Sequence, residues 1–334
     1  NIYYVVILLS FLRHTQFRGH VVTYLKIGKL TPKTSHRSRA DVLCTMLSIK
    51  LAFCCLLAMG FVTALQPLNL SEFDNKRVLL ITAHPDDVEG FSGGLVAALR
   101  QRQNVKVSYL IVTSGNAGGH CYNTTNISHF YTCEKEEIAF LRRKESLAAG
   151  SFLGASNVWR LGLDDGLSVA YHETRIRRAI SAYVRHWQPH IVLSHSPYPD
   201  LKAPPTCNGL CPAPKNWDDL GFHPDHQHVG SLVFNSMYGS GSSVDNDLLF
   251  EDLNIAGQLP KWKIDQLYMF ALTKDTMTHY LELDMDLLNA KVDASNLHRS
   301  QYQDNRPIDT FQWVAEEIGK VANVGMAEGY QGWF

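Results

Sequence analysis

Residues 78–89 read VLLITAHPDDVE, an apolar run that stops on a histidine, a proline and three acidic residues. With Thr82 its only polar member, the stretch Val78 to Ala83 predicts a strand buried on both faces, as parallel sheets require. A helix is expected next. Residues 89–103 place Leu95, Val96, Ala98 and Leu99 on one side and Arg100, Arg102 and Gln103 toward solvent, and Val105 to Thr113 then returns to strand character. This is a β-α-β unit. The cycle repeats with a helix over 134–153, a strand at Val158 to Leu163, a helix over 173–187 and a strand at His190 to His195. Such alternation predicts an α/β fold, a doubly wound and mostly parallel sheet with helices on both faces. Beyond Gly230 the pattern continues as a helix, strands near Gln266 to Leu272 and Tyr280 to Leu283, and helices over 285–303 and 309–323. There is no internal repeat and no low-complexity tract.

Two long connections, Ser114 to Cys133 and Ser196 to Phe222, follow the second and fourth strands of this pattern. Ligand sites of parallel sheets form at the carboxyl ends of strands, so these loops are expected to rim the site. At the end of the first strand, His84, Asp86, Asp87 and Glu89 stand on a turn stiffened by Pro85. After the fourth strand comes GFHPDHQH, residues 221–228, with Pro224 suited to a helix's first turn and His223 and His226 able to share one side. Alone, each cluster has a plainer reading: adjacent aspartates cap helices, and a His-x-x-His pair often lies on an exposed polar face. At neighbouring strand ends they supply a His/Asp/His set, the three-ligand pattern of a catalytic zinc site with a position open for water. A nucleotide site is disfavoured, because proline and acids occupy the turn where a phosphate needs bare backbone N–H groups.

The chain has 334 residues, 45% of them hydrophobic, enough for a substantial core. Residues 1–64 carry eight Lys/Arg against one acid, leaving 23 basic and 31 acidic residues in the remainder, a net charge of -8. So acidic a surface, without a basic patch, argues against nucleic-acid binding. Residues 1–45, which begin at Asn1 and not at Met, are read as an uncertain N-terminal extension. Residues 46–64, with Lys50 followed by LAFCCLLAMGFVTAL, are read as a signal peptide, or else a short membrane anchor, although about 20 apolar residues are needed to span a bilayer. Residues 65–334 then form the main domain. Four cysteines remain there, and Cys121 with Cys133 and Cys207 with Cys211 are the pairings that would each staple one loop, among three connectivities open to the sequence. Sequons at Asn69, Asn123 and Asn126 agree with passage through the secretory pathway, so a lumenal, endoplasmic-reticulum or secreted location is expected.

His84-Pro85-Asp86-Asp87-x-Glu89 closely resembles the first signature of the PIG-L/LmbE deacetylases, and His223-Pro224-Asp225-His226 resembles their second. Thr113-Ser114-Gly115-Asn116, Arg142-x-x-Glu145 with Leu153-Gly154, and His298-Arg299-Ser300-Gln301 are similar to further elements of that family, in its order. The resemblance covers roughly Arg77 to Phe334. It implies an LmbE-type, Rossmann-like fold and Zn2+ held by His84, Asp87 and His226, with Fe2+, Co2+ or Mn2+ as substitutes. It also implies Asp86 as general base and His223 as the group that stabilises the oxyanion or protonates the amine. Arg142, Gly115 and Asn116 are candidate contacts to the sugar, the alternative for Arg142 being a helix-surface ion pair with Glu145. The substrate implied is an N-acetylated amino sugar, first of all the glycolipid N-acetylglucosaminylphosphatidylinositol of GPI-anchor synthesis. Free or oligomeric amino sugars are the alternative, and a sugar-binding protein without turnover is the alternative of another class. Val88, between Asp87 and Glu89, and the ending Ala327-Glu328-Gly329-Tyr330 resemble the bacterial branch more than the eukaryotic one.

Overall fold

The computed structural model describes residues 65–122, 129–166, 168–197, 223–240, 259–270, 276–302 and 307–333. The expected signal segment 46–64, Cys207, Cys211, Asn123 and Asn126 lie outside these residues. In chain order the strands are β1 (Gln66–Pro67), β2 (Arg77–Thr82), β3 (Lys106–Thr113), β4 (Cys121–Tyr122), β5 (Phe130–Tyr131), β6 (Asn157–Leu163), β7 (Ile191–His195), β8 (Gln266–Phe270), β9 (His279–Glu282) and β10 (Ala327–Trp333). The helices are α1 (Asp87–Leu99), α2 (Lys135–Phe152), α3 (Ser168–Tyr171), α4 (Glu173–Trp187), α5 (Pro224–Ser240), α6 (Met285–Ser295), α7 (Arg299–Tyr302) and α8 (Ile308–Ala322).

Eight strands form one sheet in the order β1-β9-β10-β8-β7-β2-β3-β6. From β6 through β8 all pairs are parallel, whereas β10 runs antiparallel to both β8 and β9. The apolar run of β2 is explained by its two faces. Val78 and Leu80 pack with Leu95, Val96 and Leu99 of α1, while Leu79 and Ile81 pack with Ile176 and Ile180 of α4 and Val229 and Val233 of α5. Burying each such side chain stabilises the fold by about 1.5–3 kcal/mol. The chain leaves β2 toward β3 on one side and later returns as β7 on the other. Between the ends of β2 and β7 lies the switch in strand order where α/β sheets bind ligands.

Several expected boundaries move. The helix expected over 89–103 begins at Asp87 and stops at Leu99, and Arg102 turns to pair with Asp74 at 2.6 Å while Asn104 takes φ 54°. The helix expected over 285–303 breaks after Ser295, because His298 turns inward to reach Glu89 before α7 begins. The strand expected at Tyr280 to Leu283 runs His279–Glu282. Inside α1, Ser92 leaves helical geometry at φ -139° and ψ 17°. The backbone N–H groups of Gly94 and Leu95 that the kink frees donate to the Glu328 carboxylate at 3.0 and 2.9 Å, where Lys291 Nζ also arrives at 2.7 Å. A buried carboxylate thus caps the second half of α1 from β10.

Candidate metal centre

β2 ends one residue before Ala83, and α1 starts at Asp87, so residues 83–86 make the turn that aims the first cluster over the sheet's edge. Asp86 occupies the N-cap position of α1 without making a capping bond. Its Oδ1 instead accepts from Arg142 Nη2 at 2.5 Å. Asp87 turns back, its Oδ2 accepting the His84 backbone N–H at 2.6 Å. From the other strand end, α5 begins at Pro224 and carries His226 into the same space.

Three side chains converge there. His84 Nδ1 lies 3.1 Å from His226 Nε2, His226 Nε2 lies 3.1 Å from Asp87 Oδ1, and His84 Nδ1 lies 3.5 Å from Asp87 Oδ2. Ligands of a tetrahedral zinc ion with bonds of about 2.0–2.2 Å stand about 3.3–3.5 Å apart, so the 3.1 Å from His226 Nε2 to both His84 Nδ1 and Asp87 Oδ1 is close to what a divalent cation requires, and the two-nitrogen, one-carboxylate chemistry suits it. His84 Nε2 points away from this cluster to Asp165 Oδ1 at 3.0 Å, with Asp225 Oδ2 at 3.6 Å. That arrangement fixes the His84 tautomer, with the proton on Nε2 and the lone pair on Nδ1. His226 Nδ1 is buried without a hydrogen-bond partner.

The charges are mutually tuned. Burial works against a charged His84, but Asp87, Asp165 and Asp225 outweigh it and raise its pKa well above the usual histidine range. Burial alone would raise Asp87, yet His226, His195 and His84 around it hold its carboxyl well below the usual range. Asp165 is likewise lowered, its bond to His84 overcoming the opposing effect of burial. A cation entering the site therefore displaces a proton from His84 and finds both carboxylates ionised. His223 stands edge-on to His84 at 4.6 Å between ring centroids, and its Nδ1 accepts the Asp225 backbone N–H at 3.2 Å. Its proton therefore sits on Nε2. Burial and the neighbouring His84 and His226 push its pKa down to about 4, so the ring is a neutral N–H donor.

Of the residues assigned to metal and catalysis, His84, Asp87, His226 and His223 are thus brought together, with Asp86 next to Asp87 in the chain and held by Arg142, whereas the candidate sugar contacts do structural work at the rim. Arg142 is buried and bridges Asp86 to the Gly115 carbonyl, which its Nη1 reaches at 2.7 Å. The alternative of a surface ion pair with Glu145 is corrected: both residues face inward, and Glu145 accepts from Ser300 N at 2.8 Å and Ser300 Oγ at 2.6 Å. Gly115 has φ 65°, and any Cβ there would collide with the guanidinium. Asn116 braces the neighbouring loop, donating to Asp164 Oδ1 at 2.8 Å and accepting from Asp165 N at 2.9 Å. Cys121 and Cys133 form a disulfide, and Asn69 is exposed with its Oδ1 accepting from Ser71. Asp165 and His195 escaped sequence reasoning as members of the centre. The signal for Asp165 was an acidic pair directly after a parallel strand, the same cue that marked Asp86 and Asp87.

The family described as GlcNAc-PI de-N-acetylase (PIG-L) matches residues 79–206. Diacetylchitobiose deacetylase of Thermococcus kodakarensis is 27% identical over 263 residues, 77% of this chain and 82% of that protein. Among solved structures, N,N'-diacetylchitobiose deacetylase from Pyrococcus horikoshii aligns with a TM-score of 0.60 at 20% identity, covering 90% of this chain and 95% of that one. GalB of Pseudomonas putida KT2440, a 4-carboxy-2-hydroxymuconate hydratase, aligns with a TM-score of 0.54 at 17% identity, covering 78% and 96%. One fold thus carries two reactions, and the site must decide between them.

Proposed function

This chain belongs to the PIG-L/LmbE family of metal-dependent deacetylases, which act on N-acetylated sugars, and on that premise we propose that its own substrate is a free or oligomeric N-acetyl amino sugar. The observation that carries the reading is the convergence of His84, Asp87 and His226 beside Asp86 and His223. The GPI-type glycolipid has less support, since the relative matched over 77% of this chain is named for diacetylchitobiose. Zinc is the cation favoured by a two-nitrogen, one-carboxylate set, with Fe2+, Co2+ or Mn2+ as substitutes. The disulfide Cys121–Cys133 and the exposed Asn69 support a lumenal or extracellular setting, which glycopeptide mass spectrometry of protein from a eukaryotic host tests.

A cation held by these three residues would polarise the acetyl carbonyl and make water a nucleophile near neutral pH. Asp86, oriented by its bond to Arg142, takes the proton that water gives up as its oxygen attacks the acetyl carbon. His223 Nε2–H donates to the oxygen on which negative charge develops, a contact that strengthens in the transition state. As the carbon–nitrogen bond breaks, Asp86 returns its proton to the departing amine, leaving acetate and a free amino sugar. Acetate release from N-acetylglucosamine, N,N'-diacetylchitobiose and the phosphatidylinositol glycolipid, compared at equal concentration, tests the substrate. Turnover of the soluble sugars supports the proposal, and turnover of the glycolipid alone overturns it.

A further inference from the structure

His195 has no part in the reaction above, yet it is fully buried at the end of β7 with its Nε2 3.1 Å from Asp87 Oδ2. Its ring lies parallel to that of His226, 4.1 Å between centroids at 6°. Phe91 and Phe270 close on it edge-on at 5.5 and 5.3 Å, which denies the imidazole room to swing. We propose that His195 is the positioning residue of the metal centre: its Nε2–H holds Asp87 Oδ2, so that Oδ1 alone is presented beside His226. This rests on reading His84, Asp87 and His226 as the ligands.

The tautomer follows from comparing costs. Nε2 faces the Ala83 backbone N–H, also at 3.1 Å, as well as the carboxylate, and one ring nitrogen can serve only one of them. Accepting from Ala83 would set a lone pair against a carboxylate oxygen. It would also leave Nδ1–H a buried donor without a partner, a cost of about 1–3 kcal/mol. Donating to Asp87 leaves the Ala83 N–H as the unpaired donor in place of Nδ1–H, so those costs cancel, and the charge-assisted bond to the carboxylate, roughly twice as strong as a neutral one, decides the tautomer. Asp87 Oδ2 then receives two donors, His84 N–H and His195 Nε2–H, and turning the carboxylate to chelate through both oxygens would break both bonds.

Two variants separate the donor from the ring. His195→Phe keeps the stacked ring and removes the N–H, whereas His195→Gln restores an N–H near the place of Nε2. Zinc affinity is read by competition with a chromogenic chelator, coordination by the visible spectrum of the Co(II) form, and folding by the melting of the metal-free proteins. His195→Phe is expected to melt with the wild type when metal-free, to bind zinc about 10–100-fold more weakly, and to show a weaker, higher-coordinate Co(II) spectrum. His195→Gln is expected to recover most of the affinity and the wild-type spectrum. Wild-type affinity in His195→Phe overturns the proposal, as does a His195→Gln variant as weak as His195→Phe. Loss of all binding in His195→Phe with binding kept in His84→Ala would make His195 a ligand and overturn it too. If the wild type itself binds no zinc, the ligand reading falls first, and that result is distinct from the others.

Discussion

At the scale of single residues, Asp86 and Asp87 are neighbours in sequence with opposite tasks, because one begins a helix and the other precedes it. Asp87 faces His226 and His84, whereas Asp86 is turned aside by Arg142. Their variants are therefore expected to fail differently. Asp86→Asn keeps shape and hydrogen bonding but cannot take a proton, so it should retain about one zinc per chain while acetate release falls by roughly 10²–10⁴-fold. Asp87→Asn should lose the metal and, with it, the activity. Metal analysis beside acetate kinetics reads both, and a fully active Asp86→Asn would remove Asp86 from the mechanism.

At the scale of elements, the segment from His298 to Gln301 ties three parts of the site together. His298 Nε2 meets Glu89 Oε2 of α1 at 3.1 Å, Ser300 bonds Glu145 of α2, and Gln301 Nε2 donates to the Gly118 carbonyl of the rim at 3.2 Å. Burial disfavours a charged His298, but the bond to Glu89 prevails and its pKa is raised above 6.5. A raised folded-state value means that the folded protein binds the proton more tightly. The stability this pair supplies is then fully present below about pH 6.5 and is lost as pH rises through the folded-state value. Glu89→Gln should cost about 1.5–3 kcal/mol at about pH 6 and less at about pH 9, by urea melts of metal-free protein. A cost that grows with pH would reverse the assignment.

The strand and turn at 78–89 could be read in advance because a two-faced apolar run ending in acids leaves few alternatives. The partners of those residues could not, since Glu328 caps α1 and His195 holds Asp87 only after the sheet brings distant strands side by side. Likewise, the i, i+3 spacing of Arg142 and Glu145 says that they share a helix face, not that the face is buried.

At the scale of the whole molecule, the sheet supplies rigidity and the connections supply the rim. The disulfide Cys121–Cys133, 12 residues apart in sequence, closes a rim loop whose neighbour His120 donates its backbone N–H to the Ser300 carbonyl at 2.8 Å. Closing so short a loop is worth about 3 kcal/mol at most. Little of that stability is needed by the parallel core of β2, β3 and β7, which is packed on both faces. Reduction should therefore raise KM for the sugar at denaturant concentrations where far-UV circular dichroism is unchanged. Simultaneous loss of circular dichroism and activity would show that the bond holds the fold, not the rim. The most direct test of the catalytic centre is to strip the purified protein of metal, measure acetate release from N,N'-diacetylchitobiose, and return zinc in substoichiometric steps. Activity that is absent when stripped and rises linearly to a break at one zinc per chain is the expected result. Undiminished acetate release from protein shown to contain no metal would contradict the assignment of His84, Asp87 and His226.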